Sequence, residues 1–254
     1  MRRPAQTLLL TLTGIGLLHA TLFTDLYLRY VKAGLRPPLI TSGVVLLLLG
    51  LAAAAARGGP ERAAHDDHDP GPGPGPGHGH GHAHSAAPPV AWLLFLPALS
   101  LLFYAPPALG AYTAARSNAK PVAVQKGFAP LPATSPLPLT LTDFTKRVQQ
   151  DPSRAIRTRL VRLTGFVTPA AGGDGWYLTR IIFTCCAADS QTVKIRVYGS
   201  ETPPANTWLA VTGTWHSQGA LGTRTAQPAL DAQATRPIAQ PVNAYTDDLP
   251  LTPS

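Results

Sequence analysis

Long apolar runs and alternating apolar and polar positions occupy different parts of this sequence. Residues 7–112 contain nearly all of the long Leu/Ala/Val runs, whereas in residues 120–254 short apolar runs are interrupted by Thr, Arg and Pro. A helix of about 20 apolar residues, rising about 1.5 Å per residue, crosses the roughly 30 Å hydrocarbon core of a bilayer. The pattern therefore predicts a multi-pass cell-membrane protein with one small water-facing domain after its membrane region.

The membrane region, residues 1–112, contains three predicted transmembrane helices, at about residues 7–28, 39–56 and 90–109. A cleaved secretory signal is the alternative for the first, but Leu18-His19-Ala20 is a poor cleavage site, which favours a retained anchor. His19 is an intramembrane polar residue and hence a candidate functional residue, although a hydrogen bond between packed helices would also explain it. The three spans contain too few polar groups to form a transport pathway by themselves.

Three spans would place the N-terminus and the C-terminal domain on opposite sides of the membrane. The basic residues beside the spans only slightly favour a cytoplasmic C-terminal domain, so we assign no orientation. The formal net charge of +8 is largely explained by these residues, which can contact anionic lipid headgroups.

The loop between the second and third predicted spans, residues 57–89, is rich in His, Gly and Pro. Repeated Pro-Gly cannot bury a core, so the loop is predicted to be a flexible, hydrated tether. Imidazole and carboxylate groups that could bind Zn²⁺ or another divalent transition metal are clustered there: His65, Asp66, Asp67, His68, Asp69, His78, His80, His82 and His84. Compositional drift in a linker is the alternative explanation of this cluster.

The C-terminal part is predicted to form a small all-β, OB-like barrel, residues 141–242, with one short helix before the strands. A linker, residues 113–140, precedes it, and a flexible tail, residues 243–254, follows it. Thr142 is the predicted helix cap, Phe144 and Val148 share one helix face, and Asp151-Pro152 ends the helix. Period-two alternation predicts five strands, at residues 159–167, 176–184, 192–198, 208–215 and about 229–238. Gly165 and Gly213 are expected where a strand must bend to close a barrel.

The sequence contains only two cysteines, Cys185 and Cys186, and they are adjacent. A disulfide between neighbours is strained, so these residues do not form a disulfide framework. Together with Asp189, and with His216 after the fourth strand, they could bind a soft or borderline metal. Thiol exchange, which requires a lowered thiol pKa, and simple packing of the thiols both stay open as alternatives.

An OB-like barrel with several arginines also permits a nucleic-acid interpretation. Few aromatic side chains are available to stack on bases, and tethering to a membrane makes a nucleic-acid partner less expected still. No Ser-His-Asp arrangement, phosphate-binding loop or recognisable pair of catalytic carboxylates is present in the sequence, so we do not expect an enzyme.

Several motifs, taken in order, resemble the YcgQ-like family of two-component permease subunits. They are the apolar spans, the His-rich loop, Trp-Tyr-Leu-Thr-Arg at 176–180, Cys-Cys-Ala-Ala-Asp at 185–189 and Val-Thr-Gly-Thr at 211–214. The resemblance implies a C-terminal domain of unknown function with a Cys-Cys-x-Ala-Asp motif, and a larger multispanning permease partner, usually encoded by an adjacent gene. It also implies a link with zinc supply in some members.

The leading hypothesis is therefore an accessory subunit of a two-component permease, which contacts membrane lipids and serves a divalent transition metal such as zinc. A stand-alone membrane-anchored metal-binding or thiol-redox protein is the second hypothesis. An OB-type nucleic-acid binder is the third.

Overall fold

The computed structural model describes residues 3–56, 109–117, 121–170 and 175–251. The His-rich loop, with all nine of its candidate ligands, lies outside the described residues, as does the third predicted span apart from its last residue. The chain divides into two compact units. The first contains residues 1–24 and 37–107, and the second contains residues 25–36 and 108–254.

The first unit contains two helices, α1 (Arg3–Leu22) and most of α2 (Arg36–Ala55). Their buried positions are small residues seven apart: Thr7, Gly14 and Thr21 in α1, and Gly43 and Gly50 in α2. A side-chain carbon added at Gly14 would lie 2.9 Å from the Gly43 carbonyl oxygen, so the two backbones approach closely. Close contact through Gly and Thr is typical of helices that pack within a bilayer.

The outward surfaces of these helices are apolar. Exposed side chains include Leu8, Leu12 and Ile15 on α1 and Leu48 and Leu49 on α2. Within the described residues one segment, Ala33–Ala55, is both long and apolar enough to cross a membrane, and Gln6–Leu22 is a shorter apolar helix. One membrane-helix candidate near the N-terminus is thus present, where the sequence predicts three transmembrane helices.

The second unit contains a closed five-stranded β-barrel with a helix before it, which confirms the barrel prediction. A short strand β1 (Leu137–Pro138) and helix α4 (Leu141–Gln150) precede the barrel strands β2 (Val161–Pro169), β3 (Trp176–Ile182), β4 (Gln191–Tyr198), β5 (Trp208–Trp215) and β6 (Ala229–Pro237). The order is β1-β2-β3-β4-β6-β5, and β2 also pairs with β5, which closes the barrel. Two pairings, β1–β2 and β4–β6, are parallel, and the other pairings are antiparallel.

The two predicted bending points are places of close backbone approach. A side-chain carbon at Gly165 would lie 2.6 Å from the Thr179 carbonyl oxygen, and the same carbon at Gly213 would lie 2.1 Å from the Asp231 carbonyl oxygen. The pairing of β5 with β6 also shifts register between Thr212 and Gly213. Glycine is needed there because any larger residue would push the paired strand away.

Helix α4 begins two residues earlier than the sequence analysis expected. Thr140, rather than Thr142, is the cap, and its hydroxyl oxygen accepts a hydrogen bond from the backbone N–H of Asp143 at 3.0 Å. Both threonines fit the cap preference, and the packing of Leu141 decides between them because its side chain is only 2 % exposed. Leu141, Phe144 and Val148 all join the barrel core.

Segments on both sides of the barrel strands pack on the barrel. Helix α3 (Ala111–Arg116) contributes the buried residues Ala111 and Ala114 to a second apolar cluster. In residues 243–251, the ring of Tyr245 stacks on Phe183 with ring centroids 4.6 Å apart. The physical reason is apolar cover for the outer surface of the barrel, where Phe166, Ile181 and Phe183 would otherwise contact water.

Candidate metal site at the cysteine turn

The two cysteines lie in the loop that joins β3 to β4. Ile182 and Gln191 form the last pair of the β3–β4 ladder, so the residues between them must reverse the chain. We refer to residues 184–189 as the cysteine turn. A short 3₁₀ helix, Ala187–Asp189, ends it, with Cys186 at the N-cap position.

The carboxylate of Asp189 holds the cysteine turn together. Its Oδ1 accepts hydrogen bonds from the backbone N–H groups of Thr184 and Cys186, each at 3.1 Å, and its Oδ2 accepts one from Cys185 N–H at 2.8 Å. Such an arrangement of converging N–H groups stabilises a negative charge. The Asp of the Cys-Cys-Ala-Ala-Asp motif is therefore required by the geometry of the turn itself.

The same carboxylate lies beside both thiols. The two Sγ atoms and a carboxylate oxygen of Asp189 all lie within 4.8 Å of one another. Both cysteines are free thiols, with Cys185 exposed and Cys186 half-buried. Zn²⁺ binds thiolate sulfur at about 2.3 Å and carboxylate oxygen at about 2.0–2.2 Å, so three donors this close could share one ion after small side-chain movements.

The thiol chemistry of the turn disfavours exchange at neutral pH. The hydrogen bond to Asp189, followed by one to Cys186, raises the pKa of Cys185 to about 11. For Asp189, partial burial raises the pKa, but the hydrogen bonds from Cys185 and the turn backbone outweigh it and hold the pKa below its ordinary value. At neutral pH Cys185 is thus a protonated thiol, which is a poor nucleophile. A bound cation would displace this proton, so metal binding at the turn is expected to strengthen as the pH rises.

Residues 25–36, which join α1 to α2 and which we call the connector, lie against the cysteine turn. Val31 forms an antiparallel bridge with Cys186. Lys32 N–H donates to the Cys185 carbonyl oxygen at 2.9 Å, and Ala187 N–H donates to the Tyr30 carbonyl oxygen at 2.7 Å. Sequence reasoning missed these residues, because a backbone pairing between positions more than 150 residues apart leaves no local pattern.

His216 does not join the cysteine turn, in contrast to the ligand set considered from the sequence. Its Nδ1 lies 2.7 Å from Oδ1 of Asp231, and its ring centroid lies 4.3 Å from that of Tyr198 at the far end of β4, with the two rings tilted by 33°. The turn adjoins the other end of that strand, at Gln191. At roughly 3.3 Å per residue, β4 spans about 23 Å between these two ends. The barrel strand therefore separates His216 from the thiols.

The remaining candidate, His19, lies on the exposed side of α1. Its ring is 5.9 Å from that of Phe23, one helical turn away. Within the described part of the chain, the cysteine turn is the place where three metal-ligating side chains meet.

A wide surface cleft of about 870 Å³ lies elsewhere on the barrel, between residues 121–125 and the loop around Arg224. Lys194 and Gln150 also line it, but its lining contains no Cys, His, Asp or Glu. We therefore place the candidate site at the cysteine turn, because metal-ligating side chains meet there, whereas the described lining of the larger cleft has none.

The comparisons with known proteins bear on the barrel only. The chain matches no curated protein and no solved structure. Residues 143–246 match the family model of the DUF1980 C-terminal domain, which covers most of α4, all five barrel strands and the cysteine turn. This part of the chain is therefore similar to a domain family whose description names no activity.

Proposed function

We propose that this chain is a membrane-anchored accessory subunit of a two-component permease, and that its cysteine turn binds a divalent transition metal such as Zn²⁺. The observation that carries the proposal is the approach of two thiols and one carboxylate to within 4.8 Å of one another. Mixed sulfur and oxygen donors suit a borderline cation, whereas Mg²⁺ and Ca²⁺ prefer oxygen ligands alone. With three protein ligands, one coordination position stays open, as in sites that exchange a ligand.

The helical unit supports membrane anchoring. Small residues lie between α1 and α2 while leucines face outward, which is the reverse of the pattern expected for a water-soluble helical pair. The close contact of Gly14 with α2 also supports a retained first helix over a cleaved secretory signal.

The connector supports three membrane spans. Because its residues pair with the cysteine turn, the end of α1 and the start of α2 would face the side of the membrane that holds the barrel. Residue 56 would then face the other side, and the chain would have to cross again before residue 109. The apolar residues 90–109 are the segment suited to that crossing. The His-rich loop would lie on the side opposite the barrel.

The permease partner is proposed from the motif resemblance and from the helices. Two described helices with outward leucines and few polar groups supply no hydrophilic path, so a separate multispanning chain would have to provide one. Metal-ligating groups on the accessory subunit would serve to collect or present the ion.

The stand-alone thiol-redox alternative is weaker because the pKa of Cys185 is raised rather than lowered. A stand-alone metal-binding protein differs from the leading proposal only in lacking a partner. Co-purification separates the two: a tagged chain should bring down the multispanning protein encoded beside it. Recovery of the chain only as a monomer from mild detergent would refute the two-component proposal.

Metal binding is tested on the purified full chain with Co²⁺ as a spectroscopic substitute for Zn²⁺. We expect a thiolate-to-metal charge-transfer band near one equivalent, because two sulfur donors would bind the ion. The band should be lost in Cys185→Ser and Cys186→Ser and weakened in Asp189→Asn, and it should persist in Asp231→Asn, a matched carboxylate change far from the turn.

The His-rich loop could bind cobalt as well, so the same titration is repeated on a chain in which its six histidines are replaced by Asn. Imidazole ligands give no thiolate charge-transfer band, so the band should be unchanged in this variant. A band that never appears, or that survives loss of both cysteines, would exclude the turn as the metal site.

A further inference from the structure

Backbone hydrogen bonds and one β-bridge attach the connector to the cysteine turn. None of residues 25–36 is buried, and the two 3₁₀ segments of the connector, Leu26–Arg29 and Ala33–Leu35, bury no side chain. Apolar burial is the usual source of stable docking, and no side chain of the connector is fully buried, so we expect its docked state to be only marginally stable.

The hydrogen-bonding groups that hold the connector belong to the residues that carry the proposed metal ligands. The Cys185 carbonyl accepts from Lys32 N–H, Cys186 forms the bridge to Val31, and the N–H of Ala187, the next residue, donates to the connector. An ion bound by both Sγ atoms and Asp189 would restrict the backbone of these same residues. The backbone conformation of the cysteine turn therefore determines both how the ion is bound and how the connector docks.

We propose that metal occupancy of the cysteine turn and docking of the connector are coupled, so that binding of the ion is transmitted to the ends of α1 and α2. This inference deepens the proposed function and rests on it. Coupling between two binding events is reciprocal: if the ion favours the docked connector, the docked connector raises the affinity for the ion by the same factor. The docking of the connector, and with it the ends of the helices that contact the permease, would thereby depend on whether the site holds an ion.

Lys32 offers a substitution that removes one docking hydrogen bond and little else. Its φ of −70° matches the angle that a proline ring imposes, and the preceding Val31 already lies in an extended bridge, as a residue before proline prefers. Lys32→Pro deletes the N–H that donates to Cys185. Lys32→Ala is the matched control, because it removes the same side chain and charge but keeps that N–H.

The first measurement is the affinity of the full-length protein for Zn²⁺ and Co²⁺ in detergent. A hydrogen bond of ordinary strength corresponds to about a two- to tenfold change in affinity. We expect Lys32→Pro to bind both metals more weakly by about that factor, and Lys32→Ala to bind them as the unsubstituted chain does. Equal affinities for the proline and alanine variants would overturn the coupling.

The second measurement is hydrogen exchange of the Lys32 and Ala187 amides with and without Zn²⁺. The ion should slow exchange at both amides in the unsubstituted chain, and the slowing at Ala187 should shrink in Lys32→Pro. If Zn²⁺ binds through the cysteines but connector exchange is unchanged, the coupling is wrong and the metal site stands. If Zn²⁺ does not bind through the cysteines, both proposals fall.

Discussion

The carboxylate of Asp189 has two roles that are usually given to separate residues. It accepts three backbone hydrogen bonds that shape the cysteine turn, and it accepts the thiol proton of Cys185 in a hydrogen bond. Partial burial raises the pKa of Asp189, but the hydrogen bond from the Cys185 thiol, followed by those from the turn backbone, holds this pKa below the ordinary value. The same thiol hydrogen bond raises the pKa of Cys185, so this thiol is protonated at neutral pH and reacts slowly in exchange.

This pairing predicts the effect of Asp189→Asn on thiol reactivity. In a Cys186→Ala background, removing the carboxylate should lower the pKa of Cys185 toward its ordinary value, because the hydrogen bond to Asp189 is the largest cause that raises it. A lower pKa increases the fraction of Cys185 present as thiolate more than it decreases the nucleophilicity of that thiolate. Water around this exposed site limits the change in pKa. Alkylation of Cys185 by iodoacetamide at pH 8 should therefore become about three- to tenfold faster.

The control for this reactivity experiment is Asp231→Asn in the same Cys186→Ala background, which changes a carboxylate at the opposite end of β4. Its alkylation rate should match that of Cys186→Ala alone. Equal rates with and without the Asp189 carboxylate would contradict the pairing of this residue with the Cys185 thiol.

Helices α1 and α2 pack against each other through small residues. The spacing of seven between Thr7, Gly14 and Thr21 places them along one seam, and Gly43 and Gly50 repeat the spacing in α2. The leucines between them face outward, where lipid or a partner can cover them. Close packing across the seam then depends on the absence of a side chain at its glycines.

Two glycines of α1 provide a direct test of this seam. A methyl group at Gly14 would lie 2.9 Å from the Gly43 carbonyl oxygen and the Leu47 nitrogen, both of which are backbone atoms that cannot simply rotate away. Overpacking of this kind costs about 1–3 kcal/mol. Gly14→Ala should lower the free energy of unfolding in detergent by that amount, followed by circular dichroism during an SDS titration.

Gly16→Ala is the matched control, because nothing lies within 4 Å of the added carbon. It should be neutral or slightly stabilising, since Ala favours the helix over Gly. If Gly14→Ala is tolerated as well as Gly16→Ala, then α1 and α2 do not pack through this seam.

At the scale of the whole molecule, the connector links the membrane topology to the barrel. Its pairing with the cysteine turn predicts that both face one side of the membrane and that the end of α2 faces the other. The prediction can be checked with an impermeant maleimide on oriented vesicles. Cys185 is exposed and serves as the marker for the barrel in the unsubstituted chain, with a labelling time long enough to offset the slow reaction of its protonated thiol.

Two single-cysteine chains, made in a Cys185→Ser/Cys186→Ser background, complete the topology experiment. Gly34→Cys marks the connector, where the added side chain meets nothing within 4 Å, and Ala56→Cys marks the end of α2. Gly34→Cys should label from the same side as Cys185, and Ala56→Cys from the opposite side. Labelling of all three from one side would rule out a spanning helical pair.

Local sequence pattern predicted the barrel strands of this protein but neither strand β1 nor helix α3. All five barrel strands were predicted to within two residues at their ends, because period-two alternation is visible in a single run. The spacing of Phe144 and Val148 likewise predicted α4. The pair of cysteines with Asp189 was visible as a candidate ligand set because its members are neighbours in the chain.

Tertiary structure decided what joins distant parts of the chain. It separated His216 from the thiols, since barrel closure placed it beside Tyr198 and Asp231. It brought the connector to the cysteine turn, and it showed that Asp189 raises the pKa of Cys185. The sequence by itself therefore determined the barrel strands, the apolar character of the N-terminal region and the ligand types, because these follow from short-range periodicity and chemistry. Long-range backbone pairing decides which of those ligands come together and which segment they contact. A local sequence pattern does not contain that information, because the paired residues are far apart in the chain.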